Sequence, residues 1–323
     1  MNKKNQVYIE KYRPKTLDDV VGQEQVVSLL KGYVKNKRIP HLMFTGPAGI
    51  GKTTCAIALA RELYGPEWKD YFIEINASDD NSIKNIRENV KGYARVSIIG
   101  QEFKIIFLDE ADHITQPAQA ALRRIIEMYS DRCRFILSCN YPNKVLEPIL
   151  DRFTTFRFKH IKPDDMMIML KKVVQNENID ISEPALQLLA ELSNGSMRKS
   201  LSTLEKLKLG NITNINEETI KNNFCYVDDN YIKESLAKTI KGDIDGIHDF
   251  VDDMLYEKTY VPDEILESFD RLIRKSKVLS NKEKVDSLLF LGEIEFRIAE
   301  GARPDIQLKT FVALLYKIYS KGR

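Results

Sequence analysis

The sequence predicts a parallel α/β domain in the first half of the chain, then a small helical domain, then an all-helical C-terminal domain. Three observations carry that prediction. Up to about residue 160, short apolar runs alternate with amphipathic stretches, the pattern of a parallel sheet covered by helices. A glycine-rich run at residues 46–53 joins one apolar run to the helix that follows it. Beyond Lys162 and Pro163 the strand signal fades, and apolar residues recur at three- and four-residue spacing.

In the first domain (1–162), strands are expected at Leu42–Thr45, Tyr71–Asn76, Lys104–Asp109, Arg134–Cys139 and Thr155–Phe158. They are short and largely apolar, as strands covered on both faces must be. Helices are expected at Gln23–Asn36, Ile83–Ala94, Gln116–Tyr129 and Lys144–Asp151, with another from Thr54 to Leu63. In the second domain (163–227), Asp164–Glu177, Ser182–Ser193 and Met197–Leu209 read as helices. Ser182 is an N-cap followed by Pro184 in the first turn. The third domain (228–323) reads as helices over Asp243–Tyr256, Pro262–Lys277, Asn281–Ala299 and Ile306–Ser320. There is no internal repeat and no low-complexity tract.

A chain of 323 residues is too long for one small core, and 43% hydrophobic with 30% charged residues is an ordinary globular balance. No apolar run approaches the roughly 20 residues of a membrane span. Nor does the opening Met1–Gln6 lead into the apolar segment of a secretory signal. Cys55, Cys133, Cys139 and Cys225 show no C-x-x-C spacing, so reduced, mostly buried thiols of an intracellular protein are expected, without zinc or disulfides. With a net charge of only +2, any nucleic-acid contact must come from local basic clusters.

The run Gly46-Pro47-Ala48-Gly49-Ile50-Gly51-Lys52-Thr53 fits G-x-x-x-x-G-K-[ST] at every fixed position. A triphosphate needs a loop whose N–H groups turn inward around its oxygens, and glycines permit that path. Lys52 is expected on the β- and γ-phosphates and the Thr53 hydroxyl on Mg²⁺. The helix that begins near Thr54 offers its N-terminal dipole to the anion. Lys104–Asp109 then ends in consecutive acids. Asp109 is expected to hold Mg²⁺ through water, and Glu110 to polarise the water that attacks the γ-phosphate. The next apolar strand ends at Asn140, which points at the same water if the two strands are neighbours. Arg152 is placed to reach a neighbouring subunit's nucleotide, and Arg198, at the start of a helix, to touch the phosphates within its own chain. Solvated surface charge is the competing reading of both arginines.

Further motifs accompany these. They are Ile9–Pro14 with Asp19–Gly22, His41–Pro47, Asn76–Asp79, Phe107–Asp112, Gln119–Arg124 and Ser138–Tyr141, and near the C-terminus Gly292–Arg297, Glu300-Gly301 and Gln307-Leu308. In this order they resemble the AAA+ ATPases and, within them, the replication factor C small subunits, over nearly the whole chain. The resemblance implies an α/β AAA+ P-loop ATPase domain, a helical lid and an all-α collar that mediates oligomerisation. It implies one ATPase subunit of a hetero-pentameric clamp loader with other replication factor C subunits. ATP binding then opens a PCNA-like sliding clamp and places it on primer–template DNA, and hydrolysis triggers release. It also implies adenine near Ile9, Tyr12 and Val21, with phosphates ringed by residues 46–54 and touched by Asn140 and Arg198.

Several positions depart from the family pattern. Asp151-Arg152-Phe153 stands where S-R-C is usual, so a carboxylate is expected to compete for the arginine. Ser196 replaces the acid of the lid motif G-D-M-R, Tyr8 the usual tryptophan, and Asp79-Asp80-Asn81-Ser82 a segment that usually carries one more basic residue. None of these removes a catalytic group.

DNA gripped without regard to sequence needs only backbone contacts. The candidates are Lys84, Arg87 and Lys91 on one helix face and Arg123 on the helix after the acidic strand, while Arg124 suits either DNA or a subunit interface. An ordinary solvated face is the competing reading. The apolar segment Tyr93–Ile99 suits a clamp groove or packing on its own domain equally. Two other functions stay open: a non-hydrolysing structural subunit of the same complex, and another AAA+ DNA-remodelling ATPase. The lack of a four-cysteine zinc module favours an archaeal, eukaryotic or viral clamp loader, hence the nucleus of a eukaryote or the cytoplasm otherwise.

Overall fold

The computed structural model describes residues 6–78, 86–96, 100–223, 231–234, 244–277 and 279–321. They form two compact units that divide after Asn216, inside the span expected for the lid.

The first unit is built on five parallel strands: β1 (His41–Thr45), β2 (Phe72–Asn76), β3 (Lys104–Asp109), β4 (Cys133–Cys139) and β5 (Phe153–Arg157). Their order across the sheet is β2-β3-β4-β1-β5. In chain order the helices are α1 (Tyr8–Lys11), α2 (Glu24–Asn36), α3 (Lys52–Tyr64), α4 (Lys91–Arg95), α5 (Gln116–Tyr129) and α6 (Glu147–Leu150). The lid adds α7 (Pro163–Glu177), α8 (Glu183–Leu192) and α9 (Met197–Leu209).

Because successive strand residues face opposite sides, each central strand serves two cores. From β4, Phe135, Leu137 and Cys139 pack with Leu122, Ile125 and Ile126 of α5. From the other face, Ile136 joins Phe44, Phe107 and the α3 residues Cys55, Ala56 and Leu59. Small residues along α3 let it lie close to the sheet. Phe107 is fully buried there, and its truncation to alanine costs about 3–5 kcal/mol.

The strands lie where the alternation places them, with shifts at their ends. β5 begins at Phe153 rather than Thr155, because Phe153 pairs with His41 of β1 and their rings sit 5.4 Å apart. The helix expected over Lys144–Asp151 is a 3₁₀ turn (Pro142–Lys144) followed by the four-residue α6, since Pro142 and Pro148 each open a new turn. In place of one helix over Ile83–Ala94, a π turn (Ile86–Val90) leads into α4; residues 83–85 lie outside the described residues.

The second unit contains α10 (Glu217–Asn223), α11 (Ile244–Asp252), α12 (Pro262–Lys275), α13 (Asn281–Ala299) and α14 (Pro304–Lys321). α13 opens with a capping box. Ser280 Oγ accepts from Glu283 N at 3.3 Å, and the Glu283 carboxylate accepts from Ser280 N at 2.8 Å. Phe269 and Phe311 meet at 5.1 Å in its core. Among the described residues no helix is long and apolar enough to cross a membrane.

Candidate active site

At the C-terminal edge of the sheet the chain leaves β1 through Gly46–Gly51 and enters α3 at Lys52. Gly49 has φ +78°, and a Cβ there would lie 2.2 Å from Ser196 Oγ of the lid. Gly51, the N-cap of α3, has φ +104° with nothing within 4 Å of such a Cβ, so backbone conformation alone demands glycine there. The first-turn N–H groups of α3 have no partner within the helix, which makes this concavity a ready anion site.

Lys52 is buried, and its ammonium donates three hydrogen bonds: to Gly46 O at 2.5 Å, Pro47 O at 2.6 Å and Asn140 Oδ1 at 2.9 Å. Burial pushes its pKa down, with nearby Asp109 acting in the opposite sense. Beside it, Thr53 Oγ1 donates to Asp109 Oδ2 at 2.6 Å, while Asp109 Oδ1 accepts from Glu110 N at 3.0 Å. A hydroxyl and a carboxylate in contact at a phosphate-cradling loop are hard oxygen donors, few in number. That set fits Mg²⁺, which keeps most of its waters and takes one or two protein ligands beside substrate phosphates.

Glu110 holds the left-handed conformation, φ 55° and ψ 40°, between β3 and a 3₁₀ turn. For a non-glycine residue this costs on the order of 1–3 kcal/mol and is characteristic of functional positions. Asn140 follows the last residue of β4. Buried Asp112 secures that strand tip: its Oδ1 accepts from Asn140 N at 3.3 Å and its Oδ2 from Tyr141 N at 3.2 Å. Asp112 belongs to the acidic motif, yet nothing in the sequence shows what it grips.

Asp109, Glu110, Asn140, Lys52, Thr53 and Thr54 all line one cleft. Ala48, Gly49, Ile50 and Gly51 line it as well. Ile9, Tyr12 and Val21 form an apolar wall with Val20, Ile161 and Met169. From the lid come Met197, Leu201 and Arg198; Met197 N donates to Gly49 O at 3.1 Å, tying α9 to the phosphate loop. Gly46 and Pro47 do not line the cleft; their carbonyls accept from Lys52, which does.

The sequence gives no hint of Glu177, at the end of α7. Its carboxylate accepts from Tyr8 Oη at 3.3 Å, from Lys11 Nζ at 2.5 Å and, more closely, from Tyr12 Oη, fastening the N-terminal segment to the lid. Burial raises its pKa, but the hydrogen bonds from Lys11 and Tyr12 outweigh that and hold it below the usual carboxylate range.

Arg152 lies outside the cleft on an exposed surface. It donates to Pro148 O at 2.5 Å and to Glu127 Oε1 at 2.6 Å. Its described ion pair is therefore with Glu127 on α5, not with the adjacent Asp151, and Arg123 Nε approaches the same Glu127 oxygen at 3.3 Å. Of the DNA candidates, Arg123 is exposed on α5 and Lys91 partly buried at the start of α4. Lys84 and the Arg87 side chain lie outside the described residues. In the clamp-contact candidate, Val96 is exposed, and Lys104 donates to Tyr93 O and, at 2.8 Å, to Val96 O. Residues 97–99 lie outside the described residues.

Three family models match the chain in succession. Residues 42–160 match the ATPase family associated with various cellular activities (AAA). Residues 167–206 match the ATPase lid domain of DNA polymerase III clamp loader subunits, and residues 227–314 the replication factor C C-terminal domain. The replication factor C small subunit of Archaeoglobus fulgidus is 42% identical over 98% of this chain and 99% of its own length. That of Methanococcus vannielii is 39% identical over 95% and 97%. Among solved structures, the Thermotoga maritima RuvB Holliday junction branch migration motor superposes with a TM-score of 0.56 at 17% identity, over 77% of this chain and 89% of that one, a likeness of fold. With the P-loop, acidic strand tip and lid meeting at one nucleotide-binding cleft, the chain is an AAA+ ATPase and belongs to the replication factor C small subunit family.

Proposed function

We propose that this chain is the ATP-hydrolysing subunit of a clamp loader that opens a ring-shaped sliding clamp and places it on primer–template DNA. The observation that carries this reading is the convergence of Lys52 with Asn140 at 2.9 Å and of Thr53 with Asp109 at 2.6 Å, in a cleft that Glu110 and Arg198 also line. An ATP-binding arm without hydrolysis needs no such water-facing constellation.

In this reading ATP lays its base against Ile9, Tyr12 and Val21 and its phosphates in the loop before α3. Lys52 turns from the loop carbonyls toward the β- and γ-phosphate oxygens, which its desolvated charge favours. Thr53 and Asp109 would hold Mg²⁺, which would supply charge neutralisation to the nucleotide's phosphates. Glu110 accepts a hydrogen bond from the attacking water and polarises it, while Asn140 keeps that water in line with the γ-phosphorus. Arg198 reports phosphate to the lid of its own chain, and Arg152 stabilises transition-state charge at a neighbouring subunit's site.

In the same reading the wider assembly is a hetero-pentamer with other replication factor C subunits, acting on a PCNA-like clamp and on DNA gripped without sequence preference. Arg123 and Lys91, with Lys84 and Arg87, are the backbone-gripping candidates. Domain limits of 1–162, 163–227 and 228–323 remain part of this reading, with the last as the oligomerising collar. Clamp loading by the assembled complex tests it. Lys52→Ala is expected to abolish ATP binding at this site and loading with it; loading that persists at the wild-type rate overturns an essential role for the site.

A further inference from the structure

The β3–β4 register pairs Leu108 with Leu137, so the next residues, Asp109 and Ser138, stand side by side at the sheet's C-terminal edge. Two residues earlier, Phe107 and Ile136 face the α3 layer, and strand periodicity turns Asp109 and Ser138 the same way. Ser138 is completely buried, and on its other side it pairs with Phe44 of β1. Its hydroxyl has no hydrogen-bond partner, although it lines the nucleotide cleft. An unmatched hydroxyl in the buried stretch of a strand costs about 1–3 kcal/mol, and alanine would fill the same space without that cost. A strand that keeps serine here needs a reason at the site itself.

We infer that Ser138 is a positioning residue for the metal–nucleotide complex: its Oγ accepts a hydrogen bond from a metal-bound water that Asp109 also accepts from. Metal-bound water is a donor only, and a serine hydroxyl offers two acceptor lone pairs together with one donor. A divalent cation with few protein ligands depends on such outer partners to fix its waters. Thr53 and Asp109 supply the direct and carboxylate contacts; Ser138 completes the set from the adjacent strand. The inference rests on the reading of Thr53 and Asp109 as the Mg²⁺ site.

Nucleotide binding by the full chain, titrated with Mg²⁺ and read by calorimetry or a fluorescent ATP analogue, tests it. Ser138→Ala is expected to leave affinity in EDTA unchanged and to raise the Mg²⁺ concentration at half-effect by about tenfold. Ser138→Thr, which keeps the hydroxyl on a strand-favouring residue, is expected to stay within about twofold of wild type on the same scale. Thermal melting of Ser138→Ala is expected to match or exceed wild type, since an unpartnered hydroxyl is lost. A wild-type Mg²⁺ response in Ser138→Ala, or the same shift in the Ala and Thr variants, overturns the inference and leaves Ser138 a packing residue. If wild-type binding itself shows no Mg²⁺ dependence, the metal-site reading of Thr53 and Asp109 fails first, and this inference with it.

Discussion

Lys52 Nζ and Asn140 Oδ1 are joined at 2.9 Å, so the first residue of α3 and the residue beyond β4 meet across the floor of one cleft. Two strands and a helix must be in register for that contact to form. Asp112 fixes it from behind by gripping the backbone of Asn140 and Tyr141.

Removing that grip is expected to cost catalysis more than binding. Asp112→Ala leaves two N–H groups without their acceptor, a penalty of about 1–3 kcal/mol in stability, and frees Asn140 to wander. Steady-state kinetics of the assembled complex should show kcat falling about tenfold or more with KM little changed, because the role proposed for Asn140, orienting the attacking water, acts on the transition state. A change confined to KM contradicts the positioning role.

The pairing of Arg152 with Glu127 predicts a separable effect in trans. Arg152→Ala is expected to slow hydrolysis at a neighbouring subunit's site by about 10³-fold, the scale of an arginine finger, and to leave this chain's own ATP affinity intact. Glu127→Ala removes only exposed ion pairs, to Arg152 and Arg123, and should change stability by less than about 1 kcal/mol. Site-resolved single-turnover measurements distinguish the outcomes; loss of this chain's own affinity in Arg152→Ala means the arginine does not act in trans.

Gly49 couples the phosphate loop to the lid. In Gly49→Ala the new Cβ meets Ser196 Oγ at 2.2 Å on a backbone at φ +78°. The Kd for ATP should rise at least tenfold, and Ser196→Ala in the same chain should recover only part of it, because the left-handed backbone penalty remains. Full recovery would assign the whole effect to the side-chain contact.

His41 predicts a pH dependence of stability. Burial, aided by the positive charge of Arg134, pushes its pKa down to about 4 from an ordinary 6.5, and its Nδ1 accepts from Phe135 N at 3.1 Å. The folded state therefore holds the ring neutral while the unfolded chain protonates it. Its contribution is fully present above about pH 6.5 and is lost progressively as pH falls toward 4. Melting temperatures between pH 7 and 4.5 should drop more steeply for wild type than for His41→Gln; parallel curves contradict this.

The α/β pattern, the P-loop and the acidic strand tip were legible because each is local. β3 is a nearly continuous buried run, and the strand–loop–helix around Lys52 has fixed spacing. Chain-distant partners were not legible. Asp151 is adjacent to Arg152 in sequence, but it is Glu127, 25 residues away, that the fold presents to the guanidinium. Glu177 meets Tyr8 and Tyr12 only because the lid folds back on the N-terminus. The π turn at Ile86–Val90 escapes a 3.6-residue pattern since it widens the helix by one residue per turn. Ser138 reads as an ordinary strand residue until the sheet register sets it beside Asp109.

ATP turnover by the complex carrying Glu110→Gln tests most directly whether this cleft hydrolyses ATP. The substitution keeps the shape of the left-handed residue beyond β3 while removing the carboxylate proposed to polarise water. Equilibrium ATP binding should persist, and turnover at this site should fall by about 10²–10⁴-fold. Turnover that stays at the wild-type level with ATP still bound contradicts hydrolysis by this subunit.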